Sequence, residues 1–187
     1  MGLLLTIMIK TVVITGGPGT GKTSVIKLIA KKYPIAPESA RLILERNKIF
    51  RGKDAAQARG INFQEAIWDL ELKHYKNALS LNHRKFAFFD RGYFDGFAYL
   101  HLSNIKEPIE RVFQGNQIKY DYVFILDPLP EKFYENDGKR SESYMESLKI
   151  HKLIIKAYAK FGYKVIRVPF DSVKNRAKFI LRNIKVN

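Results

Sequence analysis

The chain has 187 residues, 46% apolar and 13% aromatic, enough for one ordinary domain with a substantial core. It contains no cysteine, which excludes disulfides, thiolate metal sites and cysteine nucleophiles and fits a reducing, cytoplasmic setting. A net charge of +15 favours anionic partners without choosing among them.

The opening "MGLLLTIMIK" has neither a basic leader nor a small-residue cleavage site and is too short to span a bilayer, so it reads as a tail entering a strand. "TVVIT", residues 11–15, is a β-branched run of the buried-strand type; glycines follow it, then "KTSVIKLIAKKY" with helical spacing. "YPIAP" carries two prolines, which restricts a second strand there to a short or irregular one. "FQEAIWDLELKHYKNALSL" predicts a long, well-buried helix, opened by Asn62 with Glu65 three residues on in a capping-box pattern. "KFAFF" and "YVFIL" are further buried strands, and a helix over 143–161 is expected to stop at Gly162. "YKVIRV" gives a last strand and 173–184 a last helix. Strands alternating with helices, several apolar on both faces, predict an α/β fold with a parallel sheet between helical layers.

"GGPGTGKT", directly after the first strand and opening the first helix, is a phosphate-binding loop pattern in its confirming context. Gly16, Gly17, Pro18, Gly19, Thr20, Gly21, Lys22, Thr23 and Ser24 are the candidate nucleotide contacts. Glycines let successive backbone N–H groups face one anion, the helix N-terminus adds positive charge, and Lys22 reaches the β and γ phosphates. Thr23 offers a hydroxyl to magnesium. The loop therefore implies a nucleoside triphosphate.

In a parallel sheet, a strand beside the first one delivers its last residue to the phosphate crevice, so Asp90 at the end of "KFAFFD" is expected to face the magnesium, directly or through a water; capping the next helix is the plainer alternative and is compatible with both. Arg91 stands where motor-type ATPases usually carry a water-activating glutamate. A guanidinium there suits an anionic or hydroxylated acceptor, or an ion pair with Asp90 or Asp95.

From Ile150 onward there are ten Lys or Arg against one acid, Asp171. Lys149, Lys152, Lys156 and Lys160 share one helix face, as do Lys174, Lys178, Arg182 and Lys185. These are either solvated faces or a surface for lipid headgroups, nucleic acid or an acidic protein. His74, His83, His101 and His151 show no metal-ligand spacing.

"VVITGGPGTGKTS", "APESAR", "FFDRGYFDGFAYL", "YDYVFILDP", "FYENDGKRSES" and "FGYKVIRVP" together resemble the AAA-domain family of predicted ATP-binding proteins, allied to ribosylnicotinamide kinase and more distantly to deoxynucleoside and thymidylate kinases. The resemblance covers nearly the whole chain. It implies an α/β P-loop NTPase fold of the nucleoside-kinase type, a three-layer sandwich with a parallel five-stranded sheet ordered 2-3-1-4-5. It also implies a single domain over 1–187 with a lid around 130–142. Glu38 then falls where such kinases hold a carboxylate that accepts or orients the acceptor hydroxyl; favourable charge in a helix's first turn is the alternative. Arg41 and Asp95 become acceptor-binding candidates, and Arg140, beside Lys139, matches a lid arginine that neutralises charge on the transferred group, or else an exposed turn residue. The loop around Val168 and Pro169 is expected to cover the base, with Arg176 nearby. ATP with Mg2+ is the default; GTP stays open although "NKIF" lacks the aspartate of the guanine-selective pattern. The implied activity is transfer of the γ-phosphoryl group to a hydroxyl or phosphate of a nucleoside- or nucleotide-like small-molecule acceptor. The alternative is a nucleotide-dependent switch with slow hydrolysis that engages an anionic surface through its basic C-terminal helices.

Overall fold

The structure, a computed structural model, describes residues 9–46, 60–81, 84–134 and 142–185. Strand β1 (Lys10–Thr15) lies at the centre of the sheet, between β3 (Phe86–Asp90) and β4 (Tyr122–Leu126). β2 (Ile35–Ala36) and β5 (Ile166–Val168) close the two sides, every pairing is parallel, and the order is β2-β3-β1-β4-β5, as the resemblance implied. The prolines limit β2 as expected: Pro34 and Pro37 bracket a strand of two residues.

Side chains alternate across each strand, so β1 serves two cores. Val12 and Ile14 join Phe88, Phe124, Leu126 and Val168 under helices α1 (Lys22–Ile29) and α7 (Val173–Arg182). Val13 joins Phe89, Val123 and Ile125 on the other face, under α3 (Ile61–Leu79), α4 (Asp95–Leu102) and α6 (Tyr144–Lys160). Trp68 is fully buried there, and its indole N–H donates to Tyr93 O at 2.9 Å. Helices α2 (Ser39–Arg46) and α5 (Ile109–Gly115) and a 3-10 turn at Glu131–Phe133 complete the described elements. Burial on both sides explains the unbroken apolar runs of the central strands.

One helix start differs from expectation. Gly60 is the N-cap of α3, Asn62 lies inside the first turn, and Glu65 reaches α5 instead, where Arg111 Nε donates to it at 2.6 Å. Arg111 also pairs with Asp69 at 2.7 Å. A carboxylate offered a guanidinium gains more than one offered a lone backbone amide, so the interhelical pair displaces the capping box. A complete capping box occurs instead on α6: Ser143 Oγ accepts from Glu146 N at 3.2 Å, and Ser143 N donates to Glu146 Oε2 at 2.8 Å. Gly162 follows that helix in the left-handed region, at φ 81°. The expected basic residues of α6 and α7 are exposed, but α7 ends at Arg182, so Lys185 lies beyond that helix face. Among the described residues no helix is long and apolar enough to cross a membrane.

Replacing Ser143 by Ala removes the cap and should cost about 1 kcal/mol. Urea denaturation is expected to show a lower midpoint at unchanged slope.

Candidate functional site

The chain leaves β1 at Thr15, turns through Gly16 to Gly21, and enters α1 at Lys22. Gly21 caps that helix at φ 80°, a conformation that a side chain would strain. The first intrahelical bond runs from Val25 N to Gly21 O at 3.3 Å, so the amides of Lys22, Thr23 and Ser24 face out of the helix end. Lys22 is buried, and its Nζ donates to Gly16 O and Gly17 O, both at 2.8 Å. Burial and then the neighbouring Arg91 charge lower this amine to about 7. Thr23 is half-buried and Ser24 exposed at the mouth of the loop.

Parallel register sets Asp90 opposite Ile14, at the sheet edge where the loop begins. Burial and the charge of Glu38 raise its carboxyl to about 6, against the pull of Lys22 and Arg91. The next residue holds the site together. Arg91 adopts φ 70°, rare for a side chain of this size, and its backbone N donates to Ile14 O at 3.0 Å. Its guanidinium has three partners: Glu38 Oε1 at 2.8 Å, Gly16 O at 3.1 Å and Asp95 Oδ1 at 3.2 Å. Burial pushes the Glu38 carboxyl up, but the charge and hydrogen bond of Arg91, helped by Lys22 and Arg41, outweigh this and hold it below its ordinary value. Glu38 also accepts Leu42 N through its carbonyl at 3.3 Å, so it lies at the start of α2.

The other expected residues divide. Arg41 is largely exposed, with Nε 3.8 Å from Glu38 Oε2, so it borders the site. Asp95, expected to hold substrate hydroxyls, is only 4% exposed. Its Oδ1 accepts from Thr15 Oγ1 at 2.5 Å as well as from Arg91, and its Oδ2 accepts from Tyr158 OH at 2.8 Å and Gly92 N at 3.2 Å. With two protein donors on each oxygen, Asp95 acts as an internal counter-ion behind Arg91. Arg176, expected near the base, is buried; its Nη1 donates to Thr20 O at 2.7 Å and its Nη2 to Asp127 O at 2.8 Å, tying the loop to the end of β4. Arg140 and Lys139 lie outside the described residues.

Sequence reasoning passed over Glu71. It occupies the buried stripe of α3 between Trp68 and Tyr75, at 3% exposure. Burial pushes its carboxyl up to about 8, against a hydrogen bond with Ser39, while Asp95, Asp90 and Glu38 add to the rise. An acid at a core position of a helix was the available signal.

A family model of the AAA domain matches residues 11–176. The chain belongs to the AAA-domain family. Solved structures similar to this AAA-domain protein include deoxyadenosine kinase from M. mycoides with bound dATP, at 19% identity over 92% of this chain and 97% of that one, TM-score 0.59. The NadR protein in complex with NR is 21% identical over 96% of this chain, which spans about half, 53%, of NadR, TM-score 0.63. Thymidylate kinase from Ehrlichia chaffeensis is 13% identical over 94% and 98% of the two chains, TM-score 0.63. At these identities the likeness shows a shared P-loop kinase fold. A search of curated proteins found no match.

The folded AAA-domain protein holds the Asp90 proton more tightly, near 6, than the unfolded chain does near 3.8. Its contribution to stability is therefore greatest below pH 4 and is lost as pH rises through 6. Asp90→Asn should melt above wild type at pH 7, with the gap closing by about pH 4; a gap independent of pH would contradict this assignment.

Proposed function

We propose that this protein is an ATP-dependent small-molecule kinase that moves the γ-phosphoryl group to a hydroxyl or phosphate of a nucleoside- or nucleotide-like acceptor. One observation carries the reading: a single guanidinium, Arg91, bonds both the phosphate loop at Gly16 O and the carboxylate of Glu38 on the neighbouring element. Donor and acceptor subsites built this close together suit direct transfer.

The loop amides and the N-terminus of α1 hold the β and γ phosphates, and Lys22 adds a buried cation on the same side. The Thr23 hydroxyl and the Asp90 carboxylate are the oxygen groups that would hold magnesium, and a cation there would offset the burial and Glu38 charge that raise the Asp90 carboxyl. Bound there, magnesium would supply Lewis-acid neutralisation of the phosphate oxygens. Glu38 remains ionised at neutral pH. Because Arg91 weakens it as a base, its main role is to orient the acceptor hydroxyl in line with the γ phosphorus and to take the proton late in transfer. Arg91, bonded to the loop at Gly16 O, would offset charge on the moving group, and Arg140 would add to this. The acceptor oxygen gains the phosphoryl group, its proton leaves by Glu38, and ADP departs. No glutamate follows Asp90 to activate water, so an acceptor is favoured over hydrolysis. The ligands named for the structural neighbours, dATP and NR, support an acceptor of nucleoside-like chemistry.

A panel of nucleosides and nucleotides, each with ATP and Mg2+, tests the proposal. One acceptor should raise ATP consumption at least about tenfold over the water background. With that acceptor, Glu38→Gln should lower kcat about 100-fold while KM for ATP stays within about threefold. A flat panel would remove the proposal's support.

A further inference from the structure

Helix α6 approaches the phosphate loop closely at Gly17. A Cβ added at Gly17 would lie 2.5 Å from Ser147 O and 3.1 Å from His151 Cβ, so only glycine admits this approach. At the contact Gly17 N donates to His151 Nδ1 at 3.4 Å. His151 is 6% exposed. Burial lowers its ring to about 4, opposed by Asp127 and aided by Lys22 and Arg167, so at neutral pH the imidazole is uncharged, with Nδ1 free to accept and the proton on Nε2.

The peptide linking Gly16 to Gly17 is thereby gripped from both sides. Its carbonyl oxygen takes Lys22 Nζ at 2.8 Å and Arg91 Nη1 at 3.1 Å, while its N–H goes to His151. Seven residues along α6, on the same face of the helix, Tyr158 donates to Asp95 at 2.8 Å, and Asp95 in turn receives Arg91. One rigid helix therefore touches the donor loop at one point and the acceptor-side ion pairs at another.

We infer that His151 is a positioning residue for nucleotide binding: through it, α6 fixes the Gly16–Gly17 peptide plane and so the direction of the phosphate-binding amides that follow. A loop this rich in glycine loses much backbone freedom when it orders around an anion, and a plane held in advance lowers that cost. The inference rests on the nucleotide-binding reading above and adds a residue that the phosphate-loop pattern does not contain.

Calorimetric titration of the full chain with ATP and Mg2+ tests it on wild type, His151→Leu and His151→Asn. Leucine fills similar space without an acceptor, whereas the asparagine oxygen can replace Nδ1. The leucine variant should bind ATP about tenfold more weakly, and asparagine should recover affinity to within about threefold of wild type. A purely structural role would lower the ligand-free melting temperature of both variants without separating their affinities, and that result would overturn the inference. So would a leucine variant that binds like wild type. Wild-type protein that does not bind ATP at all would overturn the nucleotide reading and this inference together. Should the leucine variant fail to fold, hydrogen exchange at the Gly17 amide decides: slow exchange in both wild type and His151→Asn supports the bond, and fast exchange in wild type overturns it.

Discussion

The site is organised around one partly buried guanidinium. Arg91 sits at the end of β3 in a backbone conformation that few arginines adopt, and it is the common partner of Glu38, Gly16 and Asp95. Charges out of water persist only when paired and hydrogen-bonded, and each side of this cluster depends on the others. Strand order makes the arrangement available: β3 lies directly beside β1, so the residue after Asp90 emerges where the phosphate loop starts. Asp95, shared with Thr15 and Tyr158, then anchors the guanidinium from behind.

The carboxylates around Arg91 are driven apart by their surroundings. Glu38 contacts the cation directly and is held low, whereas Asp90, partly buried and close to the Glu38 charge, rises to about 6, and Glu71, in the core, rises to about 8. At neutral pH Glu38 is thus firmly charged, Asp90 near its titration range and Glu71 largely neutral. Separation of this kind lets neighbouring carboxylates take different roles. Lys22, lowered to about 7 by burial and Arg91, shows the same crowding from the cationic side.

Much of this was legible in the residues. The glycine-lysine-threonine spacing marked the loop, and apolar runs at β1, β3 and β4 implied a sheet buried on both faces, which in turn placed Asp90 near Lys22. Local pattern failed where a partner distant in sequence decides the outcome. Asn62 and Glu65 have the spacing of a cap, yet Arg111, 46 positions from Glu65, claims the carboxylate. Asp95 was expected at the acceptor, and nothing nearby in the chain announces that Tyr158 also donates to it. His151 was set aside for lack of metal spacing, since only the fold brings it to Gly17. Arg176 does line a pocket with Val168 and Pro169, as expected, but it also braces the loop, a role invisible without the ends of β4 and β5 beside it.

The claim underlying all of these roles is that the loop at the start of α1 clasps a triphosphate, with Lys22 as its buried cation. Thermal melting with saturating ATP and Mg2+, compared between wild type and Lys22→Met, tests it most directly. Wild-type protein should melt several degrees higher with nucleotide, as ligation worth roughly 3 kcal/mol at a hundredfold excess over Kd requires, and the variant should gain little. An unmoved wild-type transition, or an equal rise in both proteins, would contradict the claim.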